Sequence, residues 1–189
     1  MIDVAMKFLA DELNVYLRNR TGTDLGQVTL GPAADDSGKW GTKEGSLGLS
    51  LIGIEEDRVT RATLPEMVLV QGNHVILQPE LRLNLNILFS VRLANYESSL
   101  RYLSYVMMFF QHHPSFEQDS FPGLRSDIRK LVVELLSWTP EQASQIWGYL
   151  GAKYLPSAAY RVRMVILQDA EPRGTGRPIT EIVAETRQR

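Results

Sequence analysis

Between Leu81 and Leu93 the chain reads LRLNLNILFSVRL. Leu81, Leu83, Leu85, Ile87, Phe89 and Val91 alternate there with Arg82, Asn84, Asn86, Leu88, Ser90 and Arg92. A helix would scatter this pattern around its circumference. An extended chain sorts it, sending one set toward a core and the other mostly toward a wetter face. At about 3.3 Å per residue the run would span on the order of 40 Å, long for a strand, which predicts a bulge or an extension past the domain. The rest of the chain has to supply partner strands and helices to cover the apolar face.

Those parts can be read along the sequence. Val4, Ala5, Phe8, Leu9, Leu13, Tyr16 and Leu17 recur at helical spacing, and Thr21-Gly22-Thr23 ends this amphipathic opening helix. Gln27 to Leu30 is a short strand candidate. Gly31 to Ser46, rich in Gly, Asp, Ser and Lys, reads as a mobile loop. Leu47 to Glu56 is a strand with Leu47, Leu49 and Leu51 on one face, closed by Glu55, Glu56, Asp57 and Arg58. A polar loop then leads to a short strand at His74 to Gln78. Ile128 to Leu136 fits either strand or helix, its β-branched centre and shortness favouring a strand, and Tyr160 to Leu167 is a strand before a tail from Asp169, whose ITEIVAE is a last strand candidate. The expected fold class is α/β (α+β): a mixed, mainly antiparallel sheet flanked by helices. Residues 1–168 form one domain and 169–189 a tail available as a strand for exchange between subunits.

Two further helices carry more information. From Tyr96 to His112, Leu100, Leu103, Met107 and Phe110 form one stripe, while Tyr102, Tyr105, Val106, Met108 and Phe109 make the other sides apolar too. A helix apolar on most of its circumference needs cover on more than one side. The sheet supplies one cover and a second helix or a neighbouring subunit must supply the rest, which makes Met108 and Phe109 candidates for contact with another subunit. His113-Pro114 ends this helix, and a Pro/Gly loop follows through Gly123. The next helix is announced by Thr139 as N-cap, Pro140 at the first helical position and Gln142 completing a capping box, and it ends at Gly151.

Composition excludes several functions. The chain has 189 residues, enough for one domain with a real core, with 20 Lys and Arg against 22 Asp and Glu, a net charge of -2. A general nucleic-acid binder needs a basic face, so that class is not expected. With no cysteine there is no disulfide, thiolate metal site or cysteine nucleophile. Acidic residues Asp3, Asp11 and Glu12 interrupt the N-terminus, which does not read as a signal peptide, and no stretch approaches a membrane span.

No motif assembles a catalytic or cofactor site. Gly148-Tyr-Leu-Gly151-Ala-Lys153 resembles a phosphate loop at a glance, but the spacing is wrong and no Ser or Thr follows Lys153. Its glycines also lie at the end of a helix, where carbonyls point outward and anions are disfavoured. His112 and His113 are adjacent and point about 100° apart on a helix, a poor chelating pair. Ser50 lacks the second glycine of a nucleophile elbow, and Gly174-Thr-Gly176 lacks the context of a dinucleotide site. Glu55, Glu56, Asp57 and Arg58 read as a solvated or inter-subunit face. An enzyme, a cofactor and a metal are therefore not expected. An assembly adaptor, or more remotely a nucleotide-binding protein using Lys153, is the competing class.

Several stretches taken together carry a resemblance: LSLIGIEEDR at Leu49 to Arg58, LNLNILFS at Leu83 to Ser90, YESSLRYLSYVMMFFQHHP at Tyr96 to Pro114, and IWGYLGAKYLPSAAYRVRMV at Ile146 to Val165. Their order and spacing resemble the N-terminal domain of the cap, or tail-terminator, proteins of contractile injection systems. These are phage-tail-like particles such as the Photorhabdus virulence cassettes. The phrase W-G-x-L-G-x-K-Y-x-P-S, here Trp147 to Ser157, is the most specific element. The resemblance implies a tail-terminator-like α/β subunit and a homohexameric ring. That ring would end the inner tube and anchor the last sheath layer at the end distal to the baseplate. Its partners would be itself, the inner tube protein and the sheath protein, with neither nucleic acid nor membrane insertion. Assembly in the cytoplasm is expected, with the particle's final location left open.

Overall fold

The computed structural model of the chain describes residues 1–35, 37–57, 66–70, 73–77, 81–166 and 175–176. The elements run α1 (Ile2–Thr21), β1 (Val28–Leu30), β2 (Ser46–Glu56), β3 (Glu66–Val70), β4 (Asn73–Leu77), β5 (Leu81–Arg92), α2 (Tyr96–His112), β6 (Ser115–Glu117), β7 (Ile128–Leu136), α3 (Pro140–Tyr149), β8 (Ser157–Ile166) and β9 (Thr175–Gly176). A six-stranded sheet has the order β1-β2-β5-β8-β7-β6, and a three-stranded sheet the order β3-β4-β9. Only the β1–β2 pair is parallel, so the class is the mixed, mainly antiparallel α+β expected.

The alternating run becomes β5 at the centre of the large sheet, hydrogen-bonded along its length to β2 and β8. Its length is accommodated on the neighbouring strand, since β2 shifts register between Leu51 and Gly53. That bulge turns β2 away from the core, and Leu51, expected beside Leu47 and Leu49, is exposed while those two are fully buried. On the first face of the sheet, Leu85, Ile87, Phe89 and Val91 meet Tyr160 and Val162 of β8 under α1 and α2. The wetter face is only partly wet. Leu88 is 0% exposed and joins Ala159, Trp147 and Leu155 in a second, smaller core beneath α3.

Four segments differ from expectation. The stretch read as a polar loop before His74 contains β3, which pairs with β4 through Val70↔Asn73 and leaves Gln71-Gly72 between the strands. The Pro/Gly loop after His113 contains β6, whose Phe116 is fully buried. The segment read as a mobile loop is tied down. Asp35 accepts hydrogen bonds from the backbone of Ser37 and Lys39, Gly41 donates to Ala33, and the buried Thr42 and Ser90 hydroxyls bond at 2.7 Å. Finally, α2 is rotated relative to its expected stripe and buries Ser99, Tyr102, Val106, Phe109 and Phe110, leaving Leu100 and Met107 exposed. An all-round apolar helix gives periodicity nothing with which to choose a face. The tail strand candidate ITEIVAE lies outside the described residues.

Candidate functional site

The glycine-lysine stretch closes a helix. Thr139 and Gln142 form the reciprocal capping box at the start of α3. At its end Gly151 has φ 69°, its N–H bonds to Gly148 O and the Ala152 N–H bonds to Trp147 O. This double closure is a Schellman motif. Lys153 follows it, and its carbonyl accepts a hydrogen bond from the Trp40 indole at 2.8 Å, tying the segment to the Gly31–Ser46 loop. Lys153 thus follows the carbonyl end of α3, and the arrangement turns a corner.

The remaining chemical candidates take structural places. The Ser50 hydroxyl is buried and donates to the Gly31 carbonyl at 2.7 Å. His113 packs among Phe109, Phe116 and Phe121, while His112 points to solvent. Among the described residues no group of three or more His, Asp or Glu side chains converges on a metal-sized point. Among the described residues the one strongly displaced titration belongs to Tyr160, whose phenol burial pushes up to about 12.

Two surfaces remain. The first is the charged end of β2. Glu55 accepts from the Asn86 amide at 2.9 Å, and the Asp57 backbone donates to the Arg82 carbonyl. Glu56 and Asp57 both have partners, and Arg58 lies outside the described residues. The second is the outer side of α2. Tyr96, Leu100, Met107 and Met108 are exposed there, Met108 at 42%. Arg20 of α1 lies 5.0 Å over the Tyr105 ring and 3.7 Å from the Met108 sulfur, which extends this surface onto the first helix. Phe109 is a correction. It is 3% exposed and packs on Tyr16, Phe110 and Phe116, so it belongs to the core and not to the surface.

A third feature was not legible in the sequence. Beside the small core, the second face of the sheet and α3 enclose an open cleft of about 330 Å³ lined by Ile52, Asn86, Leu136, Trp138, Ile146 and Arg161. The Asn86 carbonyl oxygen and Arg161 Nε are buried there without partners. Arg163, the next residue along that face, is paired with Glu134. The sequence placed Arg161 and Arg163 on one strand face, but only the register shows that the nearest acid is already engaged.

Comparison with known proteins gives three results. The model of the family described as Pvc16 N-terminal domain matches residues 5–181. Among solved structures, the chain is similar to the sheath/tube terminator of the extracellular contractile injection system PVC in its extended state, at 14% identity and TM-score 0.68, covering 100% of this chain and 64% of that one. It is also similar to the tube-terminating cap of the anti-feeding prophage, at 13% identity and TM-score 0.63, covering 98% of this chain and 61% of that one. The chain therefore spans less than two thirds of the length of either structure, and at these identities the likeness is one of fold. No curated protein matches the chain.

Proposed function

This chain belongs to the Pvc16 N-terminal domain family, and on that premise we propose that it is a structural cap that terminates the inner tube of a contractile injection system. A tube of stacked rings has no intrinsic end, because each heterologous face exposes the site for the next ring. A terminator matches that face and offers none in return, and its own lateral contacts close into a ring. The cap acts as a homohexamer, contacts tube and sheath, and anchors the last sheath layer. It assembles in the cytoplasm and uses neither cofactor nor catalytic residues.

The observation that carries this reading is the outer side of α2. Tyr96, Leu100, Met107 and Met108 form an apolar surface that is exposed among the described residues. Lateral contact between copies gives that surface its cover. The charges Glu55, Glu56, Asp57 and Arg58 supply rim contacts to a neighbour or to sheath. Exposed ion pairs contribute below about 1 kcal/mol each, so such contacts act by repetition around a ring. Electron microscopy of the purified protein tests the reading directly: six-fold rings that bind one end of isolated inner tubes are expected. Open filaments, or a monomer that joins other components without binding tube ends, would replace the cap with the adaptor.

A further inference from the structure

We propose that neighbouring copies of this chain are joined by strand pairing: the open outer edge of β2 at Leu51 of one copy meets, antiparallel, the open outer edge of β7 at Leu135 of the next. The proposal deepens the ring reading above by naming a lateral contact, and it rests on that reading.

The large sheet is covered along only part of each flank. On one flank β1 pairs with β2 at Leu47, Gly48 and Leu49, and the last bond runs from the Gly31 N–H to the Leu49 carbonyl. The chain then leaves this edge, and Ala33 enters the small core on the second face. On the other flank β6 pairs with β7 at Lys130, Leu131 and Val132, and the last bond runs from the Val133 N–H to the Pro114 carbonyl. Backbone groups alternate in direction along a strand. The Leu47 N–H and the Leu49 carbonyl turn toward the β1 side, so the N–H and C=O of Leu51 do as well. The Val133 N–H turns toward the β6 side, and so do the N–H and C=O of Leu135. Among the described residues no strand pairs with Leu51 or Leu135 on these outer sides, and both side chains are exposed.

The two open edges match each other. Leu51, Ile87, Tyr160 and Leu135 form one row across β2, β5, β8 and β7. Cross-strand neighbours share a face, so both leucines stand on the first face. The three pairings along the row are antiparallel, so β2 and β7 run in opposite directions. With the sheets of two copies in line, β7 of one lies antiparallel to β2 of the other. Leu51 and Leu135 then exchange both backbone hydrogen bonds and cover each other's side chains. Each copy contributes a different edge, which is a heterologous contact of the kind that closes into a ring. The bulge after Leu51 keeps the pairing short, and repetition around the ring adds up the short contacts. Elsewhere the chain blunts its edge. Asn14 of α1 clamps the outer side of β1, its side chain accepting from the Val28 N–H at 2.7 Å and donating to the Val28 carbonyl at 3.1 Å. Residues 51–54 and 134–136 carry neither the Pro nor the Lys that commonly guards an exposed edge.

The chain has no cysteine, which makes a disulfide test clean. Leu51→Cys and Leu135→Cys are introduced singly and together into the full chain, oxidised, and read on non-reducing gels. Within one chain the two positions are three strand spacings apart, roughly 14 Å, beyond the reach of a disulfide. Between paired copies their Cα atoms lie about 5.5 Å apart, within that reach. The double variant is expected to give a ladder of covalent oligomers that ends at the ring, and each single variant to stay uncrosslinked. Leu135→Pro removes an outward N–H and no bond within the sheet. It should abolish association in sedimentation while lowering the melting temperature by no more than about 5 °C. Six-fold rings in micrographs of the double variant without a disulfide would overturn this contact and leave the ring reading standing. Dimers from either single variant, or undiminished association of Leu135→Pro, would also overturn it. A ladder without closed rings would uphold the strand contact and remove the ring. With neither rings nor disulfide, both fall.

Discussion

Gly148 and Gly151 belong to the same turn of chain and answer to opposite constraints. Gly151 sits at φ 69° with open space where a Cβ would stand, so backbone strain alone penalises a side chain there. Gly151→Val should cost roughly 1–3 kcal/mol, several degrees of melting temperature in a chain of this size. Gly148 has no positive φ and nothing near its missing Cβ. Gly148→Ala should be neutral or stabilising by up to about 1 kcal/mol. Equal effects in thermal melts would refute the Schellman closure. Adjacent residues on α2 divide in the same way. Phe109→Ala empties a core position and should cost about 3–5 kcal/mol, whereas Met108→Ala should stay within about 0.5 kcal/mol in the isolated chain. Denaturant titrations decide between them. Tyr160 makes stability fall in alkali. Its folded pKa is raised to about 12 against an unfolded value near 10. The neutral phenol therefore favours the fold fully below pH 10, and that contribution drains away between pH 10 and 12. Tyr160→Phe should flatten the loss of stability across that window.

At the scale of elements, α2 combines a buried face and a bare one. Replacing Leu100 and Met107 with Asp should leave the chain's own melting nearly unchanged, because both side chains are exposed in it, and should abolish lateral association in sedimentation. Preserved association would remove the outer α2 surface from the interface. The Gly31–Ser46 segment also gains a definite expectation. The Lys39 N–H bonds to the Asp35 carboxylate at 2.8 Å and the Gly41 N–H to Ala33 O at 2.9 Å. These two amides should exchange at least about tenfold more slowly than unstructured ones in the isolated protein. Random-coil exchange at both would restore the mobile loop that composition suggests. The Asp35 carboxylate is held below its usual range by the Ser37 hydroxyl first and the Lys39 amide next. Its contribution is thus present above the ordinary carboxylate pKa and lost as pH falls through the lowered one.

For the whole molecule, termination is a property of faces and not of a pocket. A cap needs one face complementary to the tube end, lateral closure, and a far face that nucleates nothing further. Removing the protein from an assembling particle should therefore leave tubes of uncontrolled length, or sheaths missing or unanchored at the distal end. Electron micrographs of such particles provide the measurement. Normal, length-controlled, sheathed particles in its complete absence would eliminate the capping reading.

By itself the sequence determined the elements whose signals are local. The β5 alternation, the α1 periodicity with Gly22, and the Thr139-Pro140-Gln142 cap each depend on residues a few positions apart, and each formed where its pattern lies. The resemblance carried by Trp147 to Ser157 likewise pointed to the family. Tertiary structure decided what depends on register and cover. Phe109 went inside and Met108 outside because α2 is apolar all round, so packing against α1 and the sheet chose the face. Leu51 was turned out beside a bulge opposite Ile87 and Asn86, which only Gly53 marks in the sequence of β2. Leu88 was buried because α3 folds back over the second face. Arg161 was left without an acid because Glu134, its cross-strand neighbour, pairs diagonally with Arg163. A chain's local chemistry fixes which backbone shape each segment takes. Which side chains become surface is settled only when the segments exclude water from one another.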